Sequence, residues 1–254
     1  MRVLCVLQAR MSSSRLPGKV LAQILGKPML AWQIERIKRS SLIDQIVVAT
    51  SMQIEDNAIV DLARTSKVKY YQGALQNVLL RFYEVARRYQ PCHVVRLTGD
   101  CPLIDPNIID EVINMHFVSN NDYTSNCLSP TYPDGMDVEV MTYAGLLKAY
   151  KYARLPSELE HVTRYINQRP KMFRIGHVAF NEDASKYRLT VDEKEDLILI
   201  RWIYETLYPT CAAFTLQDIL ELLKANPDMV RLNQKYKRNA GMAKTLLLDK
   251  GVQI

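Results

Sequence analysis

The chain has no Cys-x-x-Cys pair and no clustered Cys/His set; its five cysteines, Cys5, Cys92, Cys101, Cys127 and Cys211, are odd in number and widely spaced. Neither a disulfide framework nor a structural zinc site is expected, and reduced thiols of this kind suit a cytoplasmic protein. Long apolar runs are missing as well. No segment approaches the roughly 20 residues needed to span a bilayer, and the short apolar run near the amino terminus does not make a secretory signal, so no membrane association is expected. The phosphate-loop pattern Gly-x4-Gly-Lys-Ser/Thr, the dinucleotide pattern Gly-x-Gly-x-x-Gly and the nucleophile elbow Gly-x-Ser-x-Gly do not occur. Ordinary P-loop hydrolysis, hydride transfer and triad chemistry are disfavoured accordingly. Internal repeats and low-complexity tracts are absent too.

What remains is an ordinary globular composition, 254 residues with 48% hydrophobic and 24% charged side chains, enough to bury the core of one large domain. The formal net charge of +6 is spread along the chain, with local clusters only at Arg36–Arg39 and Lys235–Arg238. Such a modest excess favours a pocket for phosphates or an acidic sugar over a nucleic-acid surface.

The most informative stretch lies at the start. Val3-Leu4-Cys5-Val6-Leu7 reads as a strand buried on both faces. It stops abruptly at a loop of small polar residues, Ser12-Ser13-Ser14, set among Arg10, Arg15 and Lys19 and ending in Pro17-Gly18. Small side chains let a phosphate approach main-chain N–H groups, and three cations suit one polyanion, a nucleoside triphosphate being the simplest. A basic surface turn is the plain alternative.

Further on, strand and helix patterns alternate. Helices are expected over 28–39, 55–65 and 77–89, and strands over 45–50, 67–71 and 93–97, indicating an α/β domain with a mainly parallel sheet and right-handed crossovers. Ligands in that architecture sit beyond the carboxyl ends of the strands. From 123 to 188 the alternation fails, and this section reads as an elaboration for acceptor binding or dimer contact. It contains a strand over 137–141, a helix from the capping box Ser157–Glu160 to about Gln168, and a strand over 172–179. A strand over 187–191 follows, then a helix over 196–207 capped by Asp192 with Glu195, helices over 215–224 and 227–235, and a carboxyl-terminal tail from 236 to 254.

Two aspartates stand just past β runs. Asp100, in Leu-Thr-Gly-Asp-Cys-Pro, and Asp192, in Arg-Leu-Thr-Val-Asp-Glu, could converge on one Mg²⁺, which takes one or two carboxylates plus phosphate oxygens. Taken singly, each is as well explained by an Asx turn or a helix cap. Arg81 lies between Leu80 and Phe82 on a helix and either points into a cleft or runs along the helix flank. Asp137 and Glu139 share a strand face, following Asp134, and could hold substrate hydroxyls. His161 could contact an acidic substrate or serve the helix structurally.

Together, QARMSSSRLPGK with GKPML, Arg81, LTGDCPLIDP, YPDGMDVEV, PSELEHVTRYI and LTVDEKEDL resemble the sugar-activating cytidylyltransferases. The likeness is to the 3-deoxy-manno-octulosonate and acylneuraminate types and, above all, to the SpsF-like proteins of spore-coat polysaccharide synthesis. It runs to about residue 205. Gln8 and Cys101 depart from the octulosonate enzymes, which carry proline and an acid there. The resemblance implies a Rossmann-like α/β nucleotidyltransferase forming a homodimer. It places Leu7, Gln8, Ala9, Arg10, Ser12, Arg15, Lys19, Arg81, Thr98 and Gly99 around the nucleotide. Arg10, Lys19, Asp100 and Asp192 become catalytic, with Asp100 and Asp192 the magnesium ligands. Asp134, Asp137, Glu139, Glu160 and His161 fall to the substrate side. The activity implied is transfer of CMP from CTP to a sugar acceptor, an acidic 3-deoxy or nonulosonic sugar, releasing pyrophosphate for polysaccharide or glycan biosynthesis. A glycosyltransferase of related fold using Asp100, and a non-catalytic nucleotide-binding protein, are the alternatives.

Overall fold

The computed structural model describes residues 2–251. Residues 252–254 of the carboxyl-terminal segment lie outside them. Strand β1 (Val3–Gln8) feeds the long basic loop, a small hairpin of β2 (Gln23–Ile24) and β3 (Lys27–Pro28), and helix α1 (Met29–Ile37). Then come β4 (Gln45–Ser51), α2 (Asn57–Thr65), β5 (Lys69–Gly73), α3 (Val78–Tyr89), β6 (His93–Thr98) and α4 (Pro106–Val118). The middle section supplies β7 (Tyr123–Ser125), β8 (Glu139–Thr142), α5 (Tyr143–Tyr152), α6 (Pro156–Glu160), α7 (Arg164–Asn167) and β9 (Ile175–His177). Helices α8 (Lys194–Leu207), α9 (Leu216–Ala225), α10 (Pro227–Arg231) and α11 (Ala240–Asp249) complete the described chain.

The strands form one seven-stranded sheet in the order β5-β4-β1-β6-β8-β7-β9. β4, β1 and β6 run parallel and β8 opposes β6, so the expected mainly parallel α/β architecture is observed. Because side chains alternate across a strand, β1 serves two cores. Val3, Cys5 and Leu7 join Leu30, Ile34, Ile59, Ile109, Ile200 and Ile219 on one face, drawn from α1, α2, α4, α8 and α9. Leu4 and Val6 join Phe82, Val85, Leu146 and Ile166 from α3, α5 and α7 on the other. Each fully buried Leu, Ile or Phe contributes about 1.5–3 kcal/mol of apolar burial. No helix among the described residues is long and apolar enough to cross a membrane.

The topology fixes where a ligand can enter. The chain leaves β1 toward β4 and β5, then returns to place β6 on the opposite side of β1, so a crevice opens at the carboxyl ends of β1 and β6. Gln33 and Arg36 of α1 hold the turn after β6 in place: Gln33 Nε2 donates to the Thr98 carbonyl at 2.7 Å and Arg36 Nε to that of Ile104 at 2.8 Å.

Several local expectations need correction. The single helix expected from Ser157 to Gln168 is broken into α6 and α7 at His161 and Val162, the latter at φ 31°. Ser157 and Glu160 form no capping box. Glu158 instead accepts from the Arg154 and Leu155 N–H groups at 2.9 and 3.2 Å, while Ser157 turns to Asp249. Asp192 does not cap α8: Glu193 is the N-cap and Asp196 accepts the N–H groups of Asp192 and Glu193, both at 2.9 Å.

Residues 187–191 are not a strand. They form an extended strut whose N–H groups are spent on two turns, Leu189 on the Asp134 carbonyl at 2.6 Å and Val191 on that of Asp100 at 2.8 Å. The strand expected over 172–179 shrinks to β9, and the one over 137–141 begins at Glu139. Helix 227–235 ends at Arg231, and α4, α5 and α11 are helices for which no expectation was formed.

Candidate functional site

The basic loop is built to hold its shape without covering the crevice. The Ala9 N–H donates to the Ala49 carbonyl at 3.1 Å, and Met11 O accepts from Ser13 and Gly18, both at 2.9 Å. The Met11 N–H donates at 2.7 Å to Asp56, a fully buried carboxylate that also binds the N–H and hydroxyl of Ser51. Asp56 was not singled out from sequence; it sits in an unremarkable surface-helix pattern.

At the β6 turn the Gly99 N–H donates to the Gln8 carbonyl at 2.7 Å. A Cβ on Gly99 would lie 2.9 Å from both that oxygen and the Ala9 Cβ, so only glycine lets loop and turn meet so closely. The approach brings two acids and one lysine together. Lys19 Nζ donates to Asp192 Oδ1 at 2.8 Å, to Asp100 Oδ2 at 3.3 Å and to the Val191 carbonyl at 2.6 Å. Arg15 reaches the same Asp192 oxygen at 2.8 Å.

Charge and burial contend at each of these groups. Burial opposes ionisation of Asp100, yet the neighbouring Lys19 ammonium, with help from Thr98, holds its carboxyl down to about 2. Lys19 itself is buried, which lowers its pKa, but Asp100 and Asp192 overcome this and raise it. Behind them Arg188 grips three acids: Asp196 at 2.9 Å, Asp134 at 2.9 Å and Asp192 at 3.1 Å. Arg188 and Asp196 were not singled out, although their spacing from Asp192 within one motif is the sort of signal that marks a charge network.

Two adjoining cavities flank this cluster. The first, about 490 Å³, is lined by Gln8, Ala9, Arg10, Arg15, Lys19, Arg81, Thr98, Gly99, Asp100, Glu160 and His161. Ser13 and Ser14 line it where Ser12 was expected, and Leu7 is fully buried in the core. Arg81 is 2% exposed, and its Nε and one Nη find no hydrogen-bond partner among the described residues. Burial, then the neighbouring Arg10, push its pKa down to about 10. An unpaired buried guanidinium is costly, and a polar ligand group would relieve that cost.

The second cavity, about 270 Å³, is lined by Asp100, Asp134, Asp137, Glu139, His161, Thr163, Arg164 and Asp192, among others. Glu139 is saturated: it accepts from Tyr123 at 2.6 Å, from Thr163 at 2.5 Å and from Arg96. It orders the wall and has little capacity left for a ligand. Asp137 is pushed up to about 7 by burial against the pull of Arg238. Burial lowers the pKa of His161, favouring the neutral ring, and raises the Cys101 and Cys127 thiols well above their usual range, so neither cysteine is poised as a thiolate.

Among the described residues no three His, Cys, Asp or Glu side chains gather to hold a metal. Asp100 and Asp192 facing one point nevertheless fit Mg²⁺, which accepts one or two carboxylates and completes its shell with phosphate oxygens and water.

Residues 4–222 match the cytidylyltransferase family model. The chain is 33% identical over 235 residues to the spore coat polysaccharide biosynthesis protein SpsF of Bacillus subtilis, covering 89% of this chain and 95% of that one. A 3-deoxy-manno-octulosonate cytidylyltransferase of Geobacter metallireducens is 35% identical over 115 residues, 44% of each chain. The solved structure of a cytidylyltransferase from Leptospira borgpetersenii superposes with a TM-score of 0.88 at 32% identity, covering 94% of this chain and all of that one. With its matched span and its crevice at the β1–β6 switch point, the chain belongs to the cytidylyltransferase family of nucleotidyltransferase enzymes.

Proposed function

We propose that this enzyme transfers CMP from CTP to a hydroxyl group of a sugar and releases pyrophosphate, acting in the cytoplasm as a homodimer in polysaccharide or glycan biosynthesis. The observation that carries this is the meeting of Lys19 with both Asp100 and Asp192 at the mouth of the crevice. Asp100 and Asp192 would hold Mg²⁺, which when bound would neutralise phosphate charge and make the incoming hydroxyl more acidic. Freed from the acids, Lys19 and Arg15, with Arg10, hold the triphosphate. Arg81, unpaired and buried, takes the cytosine edge, and the backbone at Ala9 helps to fix the base. Catalysis then rests on positioning and charge neutralisation for in-line attack at the α phosphorus, without a covalent enzyme intermediate.

The acceptor falls to the second cavity, where Asp134, Asp137 and His161 meet its hydroxyls. An acidic 3-deoxy or nonulosonic sugar is favoured because Arg164 lines that cavity and has no carboxylate partner among the described residues. The test is incubation with CTP, Mg²⁺ and a panel of sugar acids while pyrophosphate is followed, with UTP and GTP as controls. Release that needs both CTP and an acid acceptor is expected. CTP binding without release for any acceptor points to a non-catalytic role, and failure to bind CTP overturns the proposal.

A further inference from the structure

Helix α11 lies beyond the matched family span and sits where both cavities open. Ala240 and Gly241 line both, Met242 lines the second and Thr245 the first. What holds the helix there is polar. Ahead of it, Arg238 donates to the Tyr132 carbonyl at 3.1 Å and to Asp137. Midway, Thr245 donates to Glu160 at 2.9 Å and contacts His161 at 3.2 Å. At its far end Asp249 accepts from the Ser157 N–H at 2.9 Å and from its hydroxyl at 2.5 Å.

Apolar anchorage is weak by comparison, since Leu247 and Leu248 are 66% and 62% exposed. A segment with few buried apolar contacts opens at low free-energy cost compared with the core. Asn239, at φ 59°, sets the bend between Arg238 and the helix. We propose that residues 238–249 are a gate over the second cavity, latched by Arg238 on Asp137 and by Asp249 on Ser157. Swinging away on the chain between Arg238 and Asn233, whose buried side-chain amide donates to the Arg188 carbonyl and to Asp196, the gate admits the acceptor and releases product; latched, it covers the crevice. That the second cavity takes the acceptor rests on the function proposed above, but the gate itself is tested without any acceptor.

Cys127 lines the second cavity and serves as the reporter. In full-length protein with the exposed Cys92 and Cys211 changed to serine, maleimide labelling of Cys127 is followed by peptide mass spectrometry. Arg238→Ala and Asp249→Asn should each speed labelling at least tenfold, and hydrogen exchange should accelerate within 240–249 while α4 and α9 keep their protection. Labelling within twofold of the parent for both variants, or exchange that accelerates equally throughout the molecule, overturns the gate. If Arg238→Ala does not fold, Asp249→Asn, which leaves the Arg238 latch intact, decides the question alone.

Discussion

Lys19 and Asp192 are 173 positions apart in sequence and 2.8 Å apart in space. The contact ties the basic loop after β1 to the turn before α8, and with Asp100 it makes an ammonium flanked by two carboxylates. Bringing three charged groups together in a part-buried site is costly unless each is paired, and here each is. With Arg15 on the same Asp192 oxygen, two cations balance two carboxylates.

Asp192→Asn and Asp100→Asn should fold and, on the proposed function, lose most turnover, each by about a hundredfold or more in kcat, because each removes a carboxylate assigned there to the metal. Pyrophosphate release with a working acceptor is the measurement. Rates like the parent's in both variants would remove these residues from the reaction.

Arg81→Met should weaken CTP binding at least about tenfold, as expected for a lost bond from a charged donor. Stability should hold or rise by about 1 kcal/mol, because a buried guanidinium without partners is replaced by an apolar side chain of similar length. Calorimetric titration with CTP and a urea melt decide it. A variant that binds CTP normally but unfolds early would mean that Arg81 is structural.

His116 is 1% exposed, and burial, with His93 beside it at 3.0 Å, pushes its pKa down to about 4. The unfolded chain takes up a proton near pH 6.5, which the folded ring refuses until about pH 4. This contribution to stability is therefore whole above about pH 6.5 and fades as the pH falls toward 4, by about 3 kcal/mol in all. Urea melts at pH 7.5 and 4.5 should show the loss, and His116→Asn should reduce it by that amount. An unchanged pH slope in the variant would count against a neutral buried ring.

Gly135 has φ +104°, and a Cβ there would stand 2.5 Å from the Leu189 carbonyl carbon and the Thr190 nitrogen. Gly135→Ala should cost about 3 kcal/mol or more, since backbone strain and a clash with main chain coincide. It should also loosen Asp134 from Arg188, so acceptor turnover should fall further than CTP affinity. A melting temperature unchanged from the parent would show that the 134–136 turn can shift freely.

The first half of the fold was legible because β1 and β4 are apolar runs and β6 is one broken only by Arg96, all separated by helices with clear periodicity. The site was partly legible for the same reason: Asp100 follows β6 and small residues mark the basic loop, whereas Asp192 follows an extended strut and not the strand expected there. The middle section was not. There β7, β8 and β9 are three or four residues long, too short for a period to register, and Val162 breaks a helix with a conformation that no local residue type announces. Arg188 and Asp56 are less legible because part of their role lies with distant chain, Asp134 for Arg188 and the Met11 N–H for Asp56. Helix α11 is hard to read from sequence because it is mildly apolar all round and shows no clear face; Asn239 is its N-cap, but the side chain makes no capping bond.

The one guanidinium of Arg188 fastens Asp134 in the wall of the second cavity, Asp192 beside Lys19 and Asp196 at the root of α8. The two sides of the crevice thus pivot on a shared fulcrum. A disturbance to either the Asp134 or the Asp196 carboxylate is felt at the other, so the turn at 134–136 and the root of α8 shift as one piece.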